Sequence, residues 1–78
     1  MRIEGEQYDA LVKLMRGSPD SPANRAARLV LVEGQVQADA RVVTGVSRAT
    51  VSDAVKRYWD AHLLMQSVYG KKRGSGKD

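Results

Sequence analysis

The sequence has no cysteine and only one histidine, His62. Without cysteine the chain can form no disulfide and offers no thiolate to a metal, and a single histidine cannot build a zinc site. We therefore expect no metal, no other cofactor and a reducing compartment, the cytoplasm. No apolar run is long enough to cross a membrane, and the first residues do not resemble a signal peptide, so we expect no membrane partner.

Patterns typical of enzymes are also missing. No serine–histidine spacing supports nucleophilic catalysis, no glycine-rich loop precedes a helix with Lys-Ser/Thr, and no acid pair lies in an apolar segment. The 78 residues suffice for one small domain but not for two cores. We therefore predict a binding protein rather than an enzyme.

Basic residues are in excess and are unevenly placed. The net charge is +4, residues 1–36 balance their charges, and residues 70–78 carry four basic side chains against Asp78. We predict a folded domain over residues 1–69 and a disordered basic tail over 70–78 that suits a polyanion. A tail that serves only solubility is the alternative. The tail residues expected to contact phosphates are Lys71, Lys72 and Arg73.

Apolar spacing predicts four helices and no strand, so the expected fold class is all-α, a small bundle of about four helices. The first helix covers residues 5–16, and the second begins after Ser21 and ends before Gly34. The third covers residues 37–44, and the fourth runs from Ser47 to about residue 69. The expected inward positions are Tyr8, Leu11, Val12 and Met15; Ala23, Ala27, Val30 and Leu31; Ala38, Ala40, Val42 and Val43; and Val51, Val55, Tyr58 and Trp59.

Residues 45–57 are the most informative stretch. Gly45 permits a tight turn, Ser47 caps the helix that follows, and Val51 and Val55 point inward. Small and polar side chains then cover the outer face, which is typical of the second helix of a helix-turn-helix in the major groove of DNA. The predicted DNA-binding residues are Gln37, Ser47, Arg48, Ala49, Ser52, Asp53, Lys56 and Arg57.

Each of these residue types has a partner on DNA. Arginine reads guanine through two hydrogen bonds, Ala49 suits a thymine methyl, and Asp53 accepts a hydrogen bond from cytosine. Ser47 and the helix N-terminus suit a phosphate. Arg57 lies four residues after Asp53 and can hold that carboxylate in place. Arg25 and Arg28 on the second helix either reach phosphates or form a solvated surface.

The chain resembles the TrfB/KorA family of plasmid transcriptional repressors. The resemblance is most specific over residues 32–59. There Val32-Glu33-Gly34 leads to the helix start Gln37-Ala38, and Gly45-Val46-Ser47-Arg48 forms the turn. Val51-Ser52, Ala54-Val55 and Arg57-Tyr58-Trp59 follow along the next helix. The opening residues 2–8 fit the family's first helix more loosely. The shorter pattern over residues 45–52 is also similar to DNA-binding headpieces of the lactose-repressor type.

This resemblance implies a repressor that binds palindromic operators as a dimer, with Ser47, Arg48, Asp53 and Arg57 as groove or phosphate contacts. Three departures matter. Position 53 holds aspartate where a family member has glutamine, so the operator should differ. Arg41 stands where a small residue is usual and is expected to extend into solvent, unless the helix is shifted by one residue. We expect these 78 residues to lack the separate C-terminal dimerisation domain of the family.

A dimer therefore needs another surface, and the fourth helix offers one. Its apolar residues repeat at alternating spacings of four and three from Ala54 to Val68. The alternative is that this stripe packs on the first helix of the same chain. The predicted dimer residues are Ala61, Leu64, Met65, Val68 and Tyr69.

We predict a sequence-specific repressor of a plasmid, phage or other mobile element, which binds double-stranded DNA as a homodimer and blocks its own promoter. Two other functions stay open. One is an adaptor that docks a larger protein partner and anchors to nucleic acid without sequence preference. Its docking residues would be Tyr58, Trp59, Leu63 and Leu64. The other is a DNA-binding arm of the resolvase or transposase type.

Overall fold

The structure, a computed structural model, describes residues 2–70. Four α-helices follow one another: α1 (Gly5–Leu14), α2 (Pro22–Leu31), α3 (Gln37–Thr44) and α4 (Arg48–Met65). A π-helical turn, Gln66–Gly70, continues α4. Over these residues the chain has no strand, which confirms the predicted all-α fold. The predicted tail cations Lys71, Lys72 and Arg73 lie outside the described residues.

Local capping chemistry sets several helix ends where the sequence predicts them. The Ser21 hydroxyl accepts a hydrogen bond from the Asn24 amide at 3.2 Å, and Pro22 occupies the first helical position. Gly34 and Gly45 both adopt a positive φ, near 78° and 76°, after α2 and α3. The left-handed conformation of Gly45 allows α3 and α4 to be joined by only three residues.

The end of α1 differs from the prediction. The helix stops at Leu14, two residues early, because Arg16 adopts a φ of 57°. The Gly17 amide then donates to the Val12 carbonyl at 2.9 Å, which closes the helix end. Met15 follows the last helical residue and is exposed, so its predicted place in the core is wrong.

The core is centred on the contact between α2 and α4. Ala26 and Ala27 of α2 are fully buried, and their small side chains allow α4 to approach closely. Val51 and Val55 of α4 are buried against them, as predicted. The half-buried Trp59 lies at the edge of the core rather than within it.

The helix α1 closes the other side of this core. Tyr8, Leu11 and Val12 are buried, and the Tyr8 and Tyr58 rings lie 5.2 Å apart. The Ile3 amide donates to the Leu31 carbonyl at 2.7 Å, which ties the start of the chain to the end of α2. Among the described helices, none has the length and apolar character needed to span a bilayer.

The helix α3 is much less buried than the sequence predicts. Of its four predicted core residues only Ala40 is buried; Ala38, Val42 and Val43 are exposed, and Val42 keeps 84% of its surface in water. An eight-residue helix touches α2 and α4 along one narrow strip, and Val42 lies about 200° around the helix from Ala40. The assignment of these valines to the core was therefore wrong.

A small polar network lies inside this core. The Tyr8 hydroxyl donates to the Asn24 carbonyl at 3.1 Å, and the Asn24 side-chain amide donates to the Ser18 carbonyl. Burial raises the pKa of the Tyr8 phenol well above its usual range, and the nearby Tyr58 adds to the rise. The network fixes the turn between α1 and α2.

This raised pKa predicts a loss of stability in alkali. The unfolded chain ionises Tyr8 near its usual pKa of about 10, whereas the folded chain keeps it neutral. Neutral Tyr8 therefore makes its full contribution to the free energy of unfolding below about pH 10, and this contribution declines as the pH rises further. Tyr8→Phe removes the hydrogen bond and should lower the free energy of unfolding by about 1 kcal/mol at pH 7. Between about pH 9 and 11, the free energy of unfolding should fall less for Tyr8→Phe than for the unsubstituted chain. Urea unfolding across that range measures both effects, and parallel pH curves for the two proteins would contradict the assignment.

Candidate nucleic-acid interface

The first half of α4 separates apolar from polar side chains. Val51, Val55 and Tyr58 are at most 3% exposed. The opposite surface, which we call the polar face, consists of exposed residues only. Its members are Ser47, Arg48, Ala49, Ser52, Asp53, Lys56 and Arg57. The structure thus brings together seven of the eight predicted DNA-binding residues on one helix surface. The eighth, Gln37, is the half-buried first residue of α3.

The polar face begins at a well-capped helix end. The Ser47 hydroxyl accepts a hydrogen bond from the Thr50 amide at 3.2 Å and shares a second one with the Thr50 hydroxyl at 2.8 Å. The first amides of an α-helix have no acceptor within the helix, and they carry the positive end of its dipole. This end of α4 therefore suits an anion even though the Ser47 side chain is occupied by capping.

The ion pairs on the polar face differ from the expected ones. Among the described residues no ion pair joins Asp53 to Arg57, although their spacing permits one. The Lys56 ammonium instead lies 2.8 Å from the Asp60 carboxylate, one turn further on. This hydrogen bond raises the pKa of Lys56. Lys56 is thus drawn toward the second half of α4, away from the end that Ser47 caps.

A polar cleft lies beside the polar face. It encloses about 400 Å³ between α4 and the turn that joins α1 to α2. Thr50, Asp53 and Arg57 line one wall, and Ser18 and Ser21 line the other. No pattern in the sequence indicated these two serines, because more than 30 positions separate them from Arg57 and only the fold brings them together.

The other arginines have separate roles. The Arg28 guanidinium lies 3.1 Å from the Asp9 carboxylate and 3.8 Å from that of Glu33. The hydrogen bond that Arg28 donates to Asp9 raises the pKa of Arg28. Arg28 therefore joins α2 to α1 instead of extending toward a phosphate. Arg25 and Arg41 are exposed. Arg41 extends into solvent, as the sequence predicted for a large residue at that position.

The second half of α4 divides between core and solvent. Ala61 and Met65 are half-buried against the core of the same chain, whereas Leu64 and Val68 are exposed. Tyr58, proposed as a docking residue of an adaptor, is buried and cannot serve. The side chain of Tyr69 lies outside the described residues. His62 is buried with its ring 5.2 Å from that of Trp59. In the described part of the chain, no three metal-binding side chains cluster.

The geometry defines a small helical protein that presents a polar helix surface beside a short preceding helix. The sequence profile of one family, described as TrfB plasmid transcriptional repressor (KorA), matches residues 5–72. The chain therefore belongs to this family of transcriptional repressors, which is not a family of enzymes, and membership implies binding to DNA. No curated protein and no solved structure matches the chain.

The capping role of Ser47 leads to a stability prediction. Ser47→Ala removes the acceptor of the Thr50 amide and should lower the free energy of unfolding by about 1 kcal/mol. For a domain of this size the melting temperature should fall by about 4–8 °C. Ser52→Ala is the matched control, because Ser52 is exposed within the same helix and should change the melting temperature little. Equal melting temperatures for the two variants would show that Ser47 does not cap α4.

Proposed function

We propose that this protein is a sequence-specific repressor that places the polar face of α4 in the major groove. In this proposal α3, the three-residue turn and α4 form a helix-turn-helix. The protein binds a palindromic operator as a homodimer, in the bacterial cytoplasm, and represses the operon of the plasmid or other mobile element that encodes it. Membership of a plasmid repressor family supports this assignment.

The observation that carries the proposal is the segregation of side chains on α4. Val51 and Val55 are buried, so the helix is fixed to the rest of the molecule by one side. Arg48, Ala49 and Ser52 lie on the other side, near the start of the helix. Small side chains allow the helix backbone to come close to base edges, and arginine supplies a guanine contact. A helix held rigidly by its apolar side presents these groups at fixed positions.

Contacts to phosphates fit the borders of the polar face. The N-terminus of α4 can bind a phosphate of one DNA strand, because the first amides of the helix are free to donate to an anion. The polar cleft offers hydroxyl groups from Ser18 and Ser21 together with the Arg57 guanidinium, which must offset the repulsion between a phosphate and the Asp53 carboxylate on the same wall. We propose that a phosphate of the strand bordering the groove lies at the mouth of this cleft. Such contacts set the position of the helix but carry no sequence information.

Asp53 constrains the operator. An exposed carboxylate next to DNA is repelled by phosphates unless a base supplies a donor. The N4 amino group of cytosine is such a donor in the major groove. Arg57 does not pair with Asp53 in the free protein, so the carboxylate remains available for a base. We therefore expect a cytosine in each half-site, opposite the first half of α4.

Alanine substitution of the two arginines tests the assignment of the polar face. Arg48→Ala and Arg57→Ala should each weaken binding to the preferred duplex by about 1–3 kcal/mol, roughly 5- to 150-fold. That duplex is obtained by selection from random sequence with competitor DNA at physiological salt. Fluorescence anisotropy measures the dissociation constants, and circular dichroism verifies the fold.

Arg25→Ala is the control for these variants. Arg25 is an exposed arginine on α2, so its loss changes the net charge equally without altering the polar face. We expect a much smaller effect on the preferred duplex. If Arg48→Ala and Arg57→Ala behave like Arg25→Ala, the polar face is not the interface. If selection returns no preferred duplex, the protein does not recognise sequence. Footprinting upstream of its own gene tests autoregulation.

Deletion of residues 71–78 tests the proposed role of the basic tail. Removal of Lys71, Lys72, Arg73 and Lys77 should weaken binding to all duplexes by a similar factor, because phosphate contacts are independent of sequence. The slope of log affinity against log salt should become less steep by about 0.9 for each phosphate that the tail no longer neutralises. An effect confined to the preferred duplex would show that the tail reads bases instead.

A further inference from the structure

We propose that two copies pair through the apolar end of the molecule, antiparallel about a twofold axis near Leu64, and that this pairing sets the operator half-sites one DNA turn apart. The apolar end consists of the last turn of α1, the second half of α4 and the π-helical turn that follows it. This inference rests on the proposed function, since it specifies the surface of the homodimer and the spacing of its operator. It assigns the pairing to the same helix that carries the polar face.

Among the described residues, five of the eight exposed large apolar side chains lie at or next to this end, and the other three lie on or just before α3. Leu14 of α1 keeps 66% of its surface in water, and Leu64 of α4 keeps 65%. Val68 follows Leu64 by about one turn and is 50% exposed. Leu64 and Val68 therefore form an apolar ridge along the outer side of α4 and of the π-helical turn that continues it. Contiguous exposed apolar side chains mark interaction surfaces, whereas singly scattered ones do not.

An apolar groove lies next to this ridge. It encloses about 140 Å³ between α1 and α4 and is lined by Ala10, Leu11, Leu14 and Met65, with Gln7 and His62 at its edges. The groove and the ridge belong to the same end of one molecule. A twofold axis that brings the two Leu64 side chains together therefore places the rest of each ridge against the partner's groove, so that one surface supplies both halves of the contact. This self-complementarity favours a second copy over an unrelated partner.

The length of α4 connects this contact to the operator. Twelve residues separate Ser52, at the centre of the polar face, from Leu64, which is about 18 Å along a helix. A twofold axis at Leu64 doubles the separation to about 36 Å when the two α4 helices lie antiparallel along the DNA, and any inclination toward the DNA shortens it. Half-sites on one face of DNA lie about 34–36 Å apart for one turn. The length of α4 thus matches half-sites that lie one DNA turn apart and is far too short for half-sites two turns apart.

Cysteine cross-linking tests the surface, because the chain has no native cysteine. In Leu64→Cys the two thiols face each other near the axis, so mild oxidation should give a disulfide-linked dimer on a non-reducing gel, with or without the preferred duplex. Leu63→Cys is the matched control: Leu63 is 44% exposed, but it lies about 100° around the helix, outside the ridge. Its dimer yield should stay at the level expected for random collision.

Sedimentation and operator spacing complete the test. Leu64→Asp should raise the dimer dissociation constant at least about tenfold, since the interface would bury an unpaired carboxylate. Leu63→Asp introduces the same charge and should change it little. Inverted half-sites with centres about 10 base pairs apart should bind the unsubstituted protein cooperatively, whereas centres about 15 or 20 base pairs apart should not.

The outcomes separate this inference from the proposed function. Specific DNA binding with no cross-link in Leu64→Cys, or with unaltered sedimentation of Leu64→Asp, overturns the surface and leaves the DNA interface standing. A selected palindrome with half-sites two turns apart overturns the geometry. If no duplex is preferred but Leu64→Cys still cross-links, the proposed function fails while the dimer surface survives.

Discussion

The packing of α4 on the alanines of α2 is the constraint on which the rest of the structure depends. Ala26 and Ala27 carry no side chain large enough to hold α4 away, so Val51 and Val55 become almost fully buried. Each buried valine contributes about 1.5–3 kcal/mol to folding. Because this contact occupies one side of α4, the charged and small residues on the other side must face solvent. The polar face is therefore a consequence of the core rather than an independent feature.

The same helix serves two purposes along its length. Its first half presents polar side chains to solvent and begins at a capped end. Its second half and the π-helical turn that continues it expose Leu64 and Val68. The Lys56–Asp60 ion pair lies at the boundary between the halves. A rigid helix transmits position from one half to the other. In the proposed dimer, the packing of the apolar ends therefore decides where the two polar faces meet the DNA.

The sequence predicted those features that depend on local chemistry. Ser21, Ser47 and Gly45 mark helix ends through capping and a left-handed turn, and both effects act within a few residues. Features that depend on what covers a helix were less predictable. Val42 and Val43 fit an apolar pattern, but periodicity does not say whether another element reaches that side of α3.

Contacts between distant residues were the hardest to predict. The Arg28–Asp9 ion pair joins residues 19 positions apart, and the spacing rule on α4 allowed both Asp53–Arg57 and Lys56–Asp60 without choosing between them. The polar cleft beside Arg57 requires the turn between α1 and α2, which the burial of Tyr8 and Asn24 holds in place.

The central claim is that the polar face of α4 contacts DNA, and backbone amide NMR during titration with the selected duplex tests it most directly. The account predicts the largest shifts at residues 47–57, with smaller shifts for a scrambled duplex of equal length. Shifts concentrated on α1, with α4 unaffected, would contradict it.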